Sequence, residues 1–323
     1  MNLLVYYILL LLSFYLGLTL TFYLLSALSI SLPRSTFYAR TLASLLTLSL
    51  CAIYGACASL ALRLAGHKYL SQYATARAFK WSMRFSTDIR FEFVSGAEYL
   101  DSVRPAVVIG NHQSALDILF LGTIWPRYCS VTAKKALWWS PFLGQFMALS
   151  GTVFIDRGNS TRARRAFERA AEEMVTQKQS VFIFPEGTRR NKPEPVMGAF
   201  KKGAFHLAVR AGVPVLPVVC ANYHGVLSIA EGRFRAGRIP VKVLEPVETK
   251  GLGAEDVEGL CERVRERMSR ELVALTESPL GRKASQADPV GVGEADLARL
   301  VQERTEPVGG KGVDGAVASG VER

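Results

Sequence analysis

Apolar positions fall into three patterns along the 323-residue chain. Residues 1–33 contain no charged side chain, and a second uncharged run, residues 41–62, is closed off by Arg40 and Arg63. At about 1.5 Å per residue, the second run alone makes a helix of about 33 Å, enough to cross a hydrocarbon core. The pattern predicts a hydrophobic hairpin over residues 1–63, with helices at about 3–31 and 41–62, that either spans twice or enters one leaflet and returns. A cleaved signal peptide fits the first run poorly, because a basic n-region is missing and the uncharged stretch far exceeds the roughly 7–15 residues of an h-region. Residues 64–84 carry His67, Lys68, Arg77, Lys80 and Arg84 and read as a basic juxtamembrane linker. That positive flank puts everything after residue 63 in the cytosol, whereas Arg34 and Arg40 in the hairpin turn would face the lumen if the hairpin spanned.

Between residues 85 and 276 the pattern changes to short β-rich runs alternating with helical stripes. Strands are predicted at 106–110, 130–133, 151–155, 180–184, 213–219 and 240–244, several of them continuously apolar, as in strands covered on both faces. Pro214 and Pro217 within the fifth run imply an edge or bulged strand. Helices are predicted at 161–175, with Ala166, Phe167, Ala170, Ala171 and Met174 on one face, and at 198–211, ending at Gly212 as a C′ glycine. A third covers 254–275, with Val257, Leu260, Val264, Met268, Leu272 and Leu275 at helical spacing. Alternation of this kind argues for an α/β fold. Residues 277–323 hold eight glycines and three prolines, with eight acidic against six basic side chains, and read as a solvated, mostly disordered tail.

Composition sharpens this picture. The chain is 49% hydrophobic with a formal net charge of +11, and since the tail is net acidic the basic excess belongs to the rest. Anionic lipid head groups or a phosphate-bearing substrate account for such a charge; no nucleic-acid recognition motif is present, and no nucleic-acid partner is expected. The five cysteines are scattered without a Cys-x-x-Cys pair, so neither a zinc site nor a disulfide framework is expected, and a reducing compartment is the default. No glycine-rich nucleotide loop follows a strand.

Candidate chemistry sits at the ends of the predicted strands, where α/β sheets present functional groups. After the first comes Asn111-His112-Gln113-Ser114-Ala115-Leu116-Asp117. Were Asp117 to open the next helix, its carboxylate could reach one imidazole nitrogen of His112 and leave the other to take a proton from a substrate hydroxyl. The same residues also fit a helix-capping Asp beside a core His. After the third strand, Asp156-Arg157 offers a guanidinium that suits a phosphate, or a solvated loop residue. After the fourth, Phe184-Pro185-Glu186-Gly187-Thr188-Arg189-Arg190 combines a permissive glycine with anion donors, Glu186 being placed to hold Arg189 or a hydroxyl; a turn with a surface ion pair is the alternative.

Taken in order, His112-x4-Asp117, Phe154-Ile155-Asp156-Arg157, Phe184-Pro185-Glu186-Gly187-Thr188-Arg189 and Val213-Pro214-Val215-Leu216-Pro217-Val218 resemble the glycerolipid acyltransferase family, over about residues 85–275 and the hydrophobic N-terminus. Ala133-Lys134-Lys135 with Pro141-Phe142-x-Gly144 is similar to that family's lysine-bearing segment. The resemblance implies a mixed sheet flanked by helices behind the N-terminal helical hairpin, and acyl transfer from a coenzyme A thioester to the sn-2 hydroxyl of lysophosphatidic acid, making phosphatidic acid. His112 would be the general base, Asp117 its partner, and Arg157, Glu186, Gly187, Thr188, Arg189, Lys134 and Lys135 the phosphate-binding set. No metal and no resident cofactor are expected, acyl-CoA being a co-substrate. Partners would be acyl-CoA, lysophosphatidic acid and membrane lipids, and the location the endoplasmic reticulum or lipid droplets. Glycerol-3-phosphate or another lysophospholipid as acceptor, and a non-catalytic lipid-binding protein, are the competing readings.

Overall fold

The computed structural model describes residues 3–27, 35–156 and 158–286. Two long helices open the chain: α1 (Leu3–Ala27) and α2 (Ser35–Leu64), both long and apolar enough to cross a membrane. They differ in what they touch. α1 exposes most of its large apolar side chains, whereas α2 buries Ser35, Ala39, Ala43, Thr47, Cys51, Ala52, Gly55 and Ser59. These are small residues at three- and four-residue spacing, which lets helices approach closely.

The partner of that face is a helix where a linker was expected. α3 (Ser71–Thr87) occupies most of residues 64–84 and buries Gln72, Thr75, Phe79 and Met83. Its inward stripe mixes polar and apolar residues, so charge dominated the sequence pattern there. Gly55 marks the contact: a Cβ would stand 2.8 Å from Thr75 Cγ2 and from a ring carbon of Phe146. α2 also begins earlier than predicted and takes in Arg40, whose guanidinium donates to the carbonyls of Thr87 at 3.1 Å and Phe234 at 3.2 Å. The arginine of the expected turn is thus tied to the globular part.

Seven strands form one mixed sheet: β1 (Ile89–Ser95), β2 (Val107–Gly110), β3 (Cys129–Lys134), β4 (Val153–Ile155), β5 (Ser180–Ile183), β6 (Val215–Cys220) and β9 (Gly237–Val243), in the spatial order β1-β9-β6-β2-β5-β3-β4. A two-stranded ribbon, β7 (Leu227–Ser228) with β8 (Arg233–Phe234), lies outside it. The five strands from β6 to β4 are mutually parallel, and β9 runs antiparallel to β6. The carboxyl ends of those five strands therefore share one edge. Val107, Val108, Ile109, Val181, Phe182, Val215, Leu216 and Val218 are nearly inaccessible, as continuous apolar strands covered by helices should be.

β6 is an interior strand, which corrects the edge half of the edge-or-bulged expectation drawn from Pro214 and Pro217, while its pairing is irregular beside Pro217. Three steps along β6, from Val218 back to Val215, match four along its partner, from Val243 to Val247. That irregularity spares a rung on the β9 side, where Pro217 offers its carbonyl to Leu244 N at 2.8 Å and has no N–H to place.

The remaining helices are α4 (Tyr99–Ser102), α5 (Asp117–Ile124), α6 (Leu143–Leu149), α7 (Ser160–Thr176), α8 (Gly203–Ala211), α9 (Val257–Glu277) and α10 (Pro279–Gln286). All six residues of the stripe predicted for α9 are buried. α8 ends at Gly212, left-handed at φ +62°, as predicted, but starts later than residue 198. The reason is local: Gly198 N is bound by Glu186 Oε2 and Lys201 N by the Pro185 carbonyl, so these donors serve a loop instead of a helix. α10 lies where a disordered tail was expected from 277; Leu280 and Ala284 are 2% exposed. The rest of that tail, 287–323, lies outside the described residues.

Candidate active site

β2 ends at Gly110, and the next seven residues turn back into α5. Gly110 is required by crowding, since a Cβ there would meet the Phe182 and Phe120 rings at 2.9 and 3.1 Å. The turn is held by side chains that act as extra strand. Asn111 Nδ2 donates to the Cys220 carbonyl and Cys220 N donates to Asn111 Oδ1, each at 2.9 Å. Gln113 Nε2 donates to the carbonyls of Cys220 and Ala221, and Tyr223 N donates to Gln113 Oε1. Both amides lock the β2 loop to the segment leaving β6.

Within this frame Asp117 takes the first helical position of α5, where the helix dipole favours an anion. Its Oδ2 accepts from His112 Nδ1 at 2.6 Å and from the backbone N–H groups of Gln113 at 2.8 Å and Ser114 at 3.1 Å. Its Oδ1 accepts from the Tyr223 hydroxyl at 2.6 Å. The capping and base-pairing readings of this block thus coexist in one carboxylate. A carboxylate facing Nδ1 selects the tautomer with the proton on that nitrogen, which leaves Nε2 for proton transfer. Phe184 stacks on the imidazole with centroids 4.1 Å apart and planes 15° apart, setting the ring's plane. Tyr223 is fully buried, and burial together with the Asp117 charge pushes its phenol well above the ordinary range, so it stays a donor. Nothing in the sequence pointed to Tyr223; it lies 106 positions from Asp117 and only the sheet order brings them together. Ser114 is buried, with its hydroxyl bound to Tyr223 and accepting from Leu116 N.

The loop after β5 is stitched to the same turn. Glu186 Oε1 accepts from His112 N and Oε2 from Gly198 N, both at 2.8 Å, and Arg190 N donates to the His112 carbonyl at 2.9 Å. Glu186 is 6% exposed, and its charged neighbour is Arg190 at 3.7 Å rather than Arg189. Burial pushes its carboxyl up, partly offset by those two N–H donors. Gly187 has φ +68°, with Lys201 Cε 2.9 Å from where a Cβ would stand, which frees Thr188 and Arg189 to turn outward.

His112 and Asp117 open onto a cavity of about 570 Å³. Lys134, Gly187, Thr188 and Arg189 line it as well, so four members of the expected anion-binding set share the wall with the His–Asp pair. Lys135 instead approaches Asp156 at 3.6 Å, and Arg157 lies outside the described residues. The rest of the wall is largely apolar and comes mostly from α2, α3, α5 and α6, including Leu48, Phe79, Leu121 and Phe146, with β3 adding Val131, Thr132 and Ala133. Among the described residues no His, Cys, Asp and Glu cluster could hold a metal ion, and the cysteines are free thiols.

The chain is similar to known proteins. Residues 92–221 match the family model described as Acyltransferase. Over 246 residues the chain is 40% identical to the 1-acyl-sn-glycerol-3-phosphate acyltransferase of Saccharomyces cerevisiae, covering 76% of this chain and 80% of that protein. The chain belongs to the 1-acyl-sn-glycerol-3-phosphate acyltransferase family. The human beta form is 34% identical over 244 residues, covering 75% of this chain and 86% of that one. A crystal structure of the 1-acyl-sn-glycerophosphate acyltransferase from Thermotoga maritima superposes with a TM-score of 0.56 at 26% identity, covering 81% of this chain and 96% of that one. The chain thus shares the acyltransferase fold, a mixed sheet flanked by helices, and carries two apolar helices near its N-terminus.

Proposed function

We propose that the protein transfers an acyl group from acyl-CoA to the sn-2 hydroxyl of 1-acyl-sn-glycerol-3-phosphate, making phosphatidic acid. The observation that carries this reading is a His–Asp pair and two cationic side chains on the wall of one largely apolar cavity. His112 Nε2 accepts the proton of the hydroxyl as its oxygen attacks the thioester carbonyl, and Asp117 holds the resulting imidazolium. The collapse of the tetrahedral adduct expels the thiolate of coenzyme A, which His112 can reprotonate. Base catalysis of this kind contributes about 10²–10⁴ in rate, without a covalent acyl-enzyme. Lys134 and Arg189, with Thr188, anchor the acceptor phosphate, and the apolar wall takes an acyl chain that water would otherwise have to solvate. Glu186 acts through His112 as a positioning residue. Lys135, drawn to Asp156, is the peripheral member of the cationic set, and Arg157 keeps its expected role on the acceptor phosphate.

The hairpin fits this chemistry by holding the cavity at the lipid surface. We read it as re-entrant, since Arg40 beside its turn is bound to the globular part, with the catalytic domain cytosolic at the endoplasmic reticulum. The test is thiol release from oleoyl-CoA by the purified protein in detergent, with the lipid product followed, and lysophosphatidic acid or glycerol-3-phosphate as acceptor. Product formed with lysophosphatidic acid alone, and lost in His112→Ala and Asp117→Asn, is the expected result. Activity that survives His112→Ala would overturn the base assignment, and turnover of glycerol-3-phosphate would overturn the acceptor.

A further inference from the structure

Between β3 and α6 the chain makes a tight 3-10 turn, Lys135–Trp139, followed by Ser140-Pro141-Phe142. The turn is held rigidly. Ser140 N donates to the Leu137 carbonyl and Gly144 N to the Ser140 carbonyl, and a Cβ on Gly144 would lie 2.0 Å from the Trp138 carbonyl oxygen. Trp138 meets Phe154 edge-on at 5.2 Å. A loop this well fastened could bury its aromatic residues, yet it displays them: Trp139 is 84% exposed, Phe142 54% and Trp138 49%. Three neighbouring large aromatics facing water form an apolar patch of the kind that marks an interaction surface.

We propose that this turn enters the membrane surface as a lipid contact separate from the α1–α2 hairpin, beside the mouth of the cavity. Three observations select lipid as the occupant. Tryptophan with phenylalanine, on a turn that starts from the exposed Lys134 and Lys135, has the chemistry of the head-group boundary, with aromatic rings in the interface and ammonium groups toward anionic lipid. Leu137 lines the cavity together with Leu48, Cys51 and Ala52 of α2, so the turn stands on the side of the molecule that carries the apolar hairpin. α2 itself exposes Leu45, Leu50, Tyr54 and Leu60, so the patch shares its apolar character with a helix already suited to lipid. A lipid whose chains remain in the bilayer could then pass its head group along Leu137 and Lys134 into the site.

The experiment uses full-length protein in phosphatidylcholine–phosphatidylserine bilayers, with Trp81→Phe removing the other exposed indole. Emission then comes from the buried Trp125 and from Trp138 and Trp139. Lipids brominated along their acyl chains should quench most of the Trp138 and Trp139 emission, and Trp139→Phe should remove much of the quenched component, while acrylamide in water has little effect. Quenching by acrylamide with none by brominated lipid would overturn the proposal. Protection from both quenchers would overturn it too, by showing that protein, a partner or a second copy, covers the patch. This readout needs no turnover, so it stands or falls apart from the acyl-transfer reading. As a second measure, Trp139→Glu should lower activity on bilayer-embedded acceptor roughly tenfold, the scale expected when one large apolar contact is lost, and leave a short-chain soluble acceptor unaffected. Equal loss on both acceptors would mark the residue as structural and sink the idea.

Discussion

At the end of β2, Asp117 is 3% exposed and its two oxygens accept from four donors, His112 Nδ1, two backbone N–H groups and the Tyr223 hydroxyl. On the other part of the same cavity wall, Lys134, Thr188 and Arg189 are exposed. The first region is a buried polar network with its hydrogen bonds already made, so it needs no reorganisation as charge develops on His112. The second consists of hydrated side chains that can settle only around an anion, screened by salt until then. One surface should therefore govern the chemical step and the other the capture of substrate.

Substitutions test that division, beginning with the largest effect. His112→Ala should reduce kcat by about 10²–10⁴ while leaving the thermal unfolding curve close to wild type, since the ring is a reactant and not a strut. Asp117→Asn should fall in the same range, because the amide carries no charge to support the imidazolium and, with its oxygen kept on the three N–H donors, turns an NH2 toward the Tyr223 hydroxyl that now donates to Oδ1. A kcat within twofold of wild type in either variant would remove the pair from the mechanism. Tyr223→Phe takes one donor from a buried carboxylate, an interaction worth about 1.5–3 kcal/mol. It should lower kcat roughly tenfold with little change in KM and move the acid limb of the pH profile, which a purely structural defect would not.

On the exposed side, Arg189→Ala should raise KM for the phosphate-bearing acceptor by roughly tenfold at low salt, with kcat nearly preserved, and the gap should narrow as ionic strength rises. A kcat effect larger than the KM effect would erase the contrast between the two regions.

The smallest effect concerns stability. Burial raises the Glu186 carboxyl in the folded state, so the folded protein holds that proton to higher pH than the unfolded chain does. The corresponding stability is present in full below the unfolded value of about 4.3 and is lost as pH rises through the folded value. Denaturant titrations of wild type and Glu186→Gln should show the wild type losing ground to the variant as pH increases across that window. Parallel curves would show that the N–H donors of His112 and Gly198 cancel the burial.

Much of this protein was legible in its sequence because it rests on local regularities. The uncharged runs predicted two apolar helices, the short β-rich runs predicted the five parallel strands β2 to β6 and also β9, and the stripe from Val257 to Leu275 predicted α9. His112-x4-Asp117 sits across one loop, so its geometry follows from a strand end running into a helix start. α3 was hidden because its buried face is partly polar, and charge on its other faces set the pattern. β1, which precedes the first predicted strand, pairs with β9 more than a hundred residues away, a contact that no local signal encodes.

Tertiary structure alone decided which groups complete the site. Parallel strand order placed the β2 turn between the segment leaving β6 and the loop after β5, which gave Asp117 its donor in Tyr223 and His112 its brace in Glu186. It also divided the cationic residues, turning Lys134 and Arg189 to the cavity and Lys135 to Asp156. Sequence determines which side chains stand at strand ends, because period and propensity are local. Which strand ends become neighbours depends on how the whole sheet closes its core, and the partners in a buried hydrogen-bond network follow from that closure.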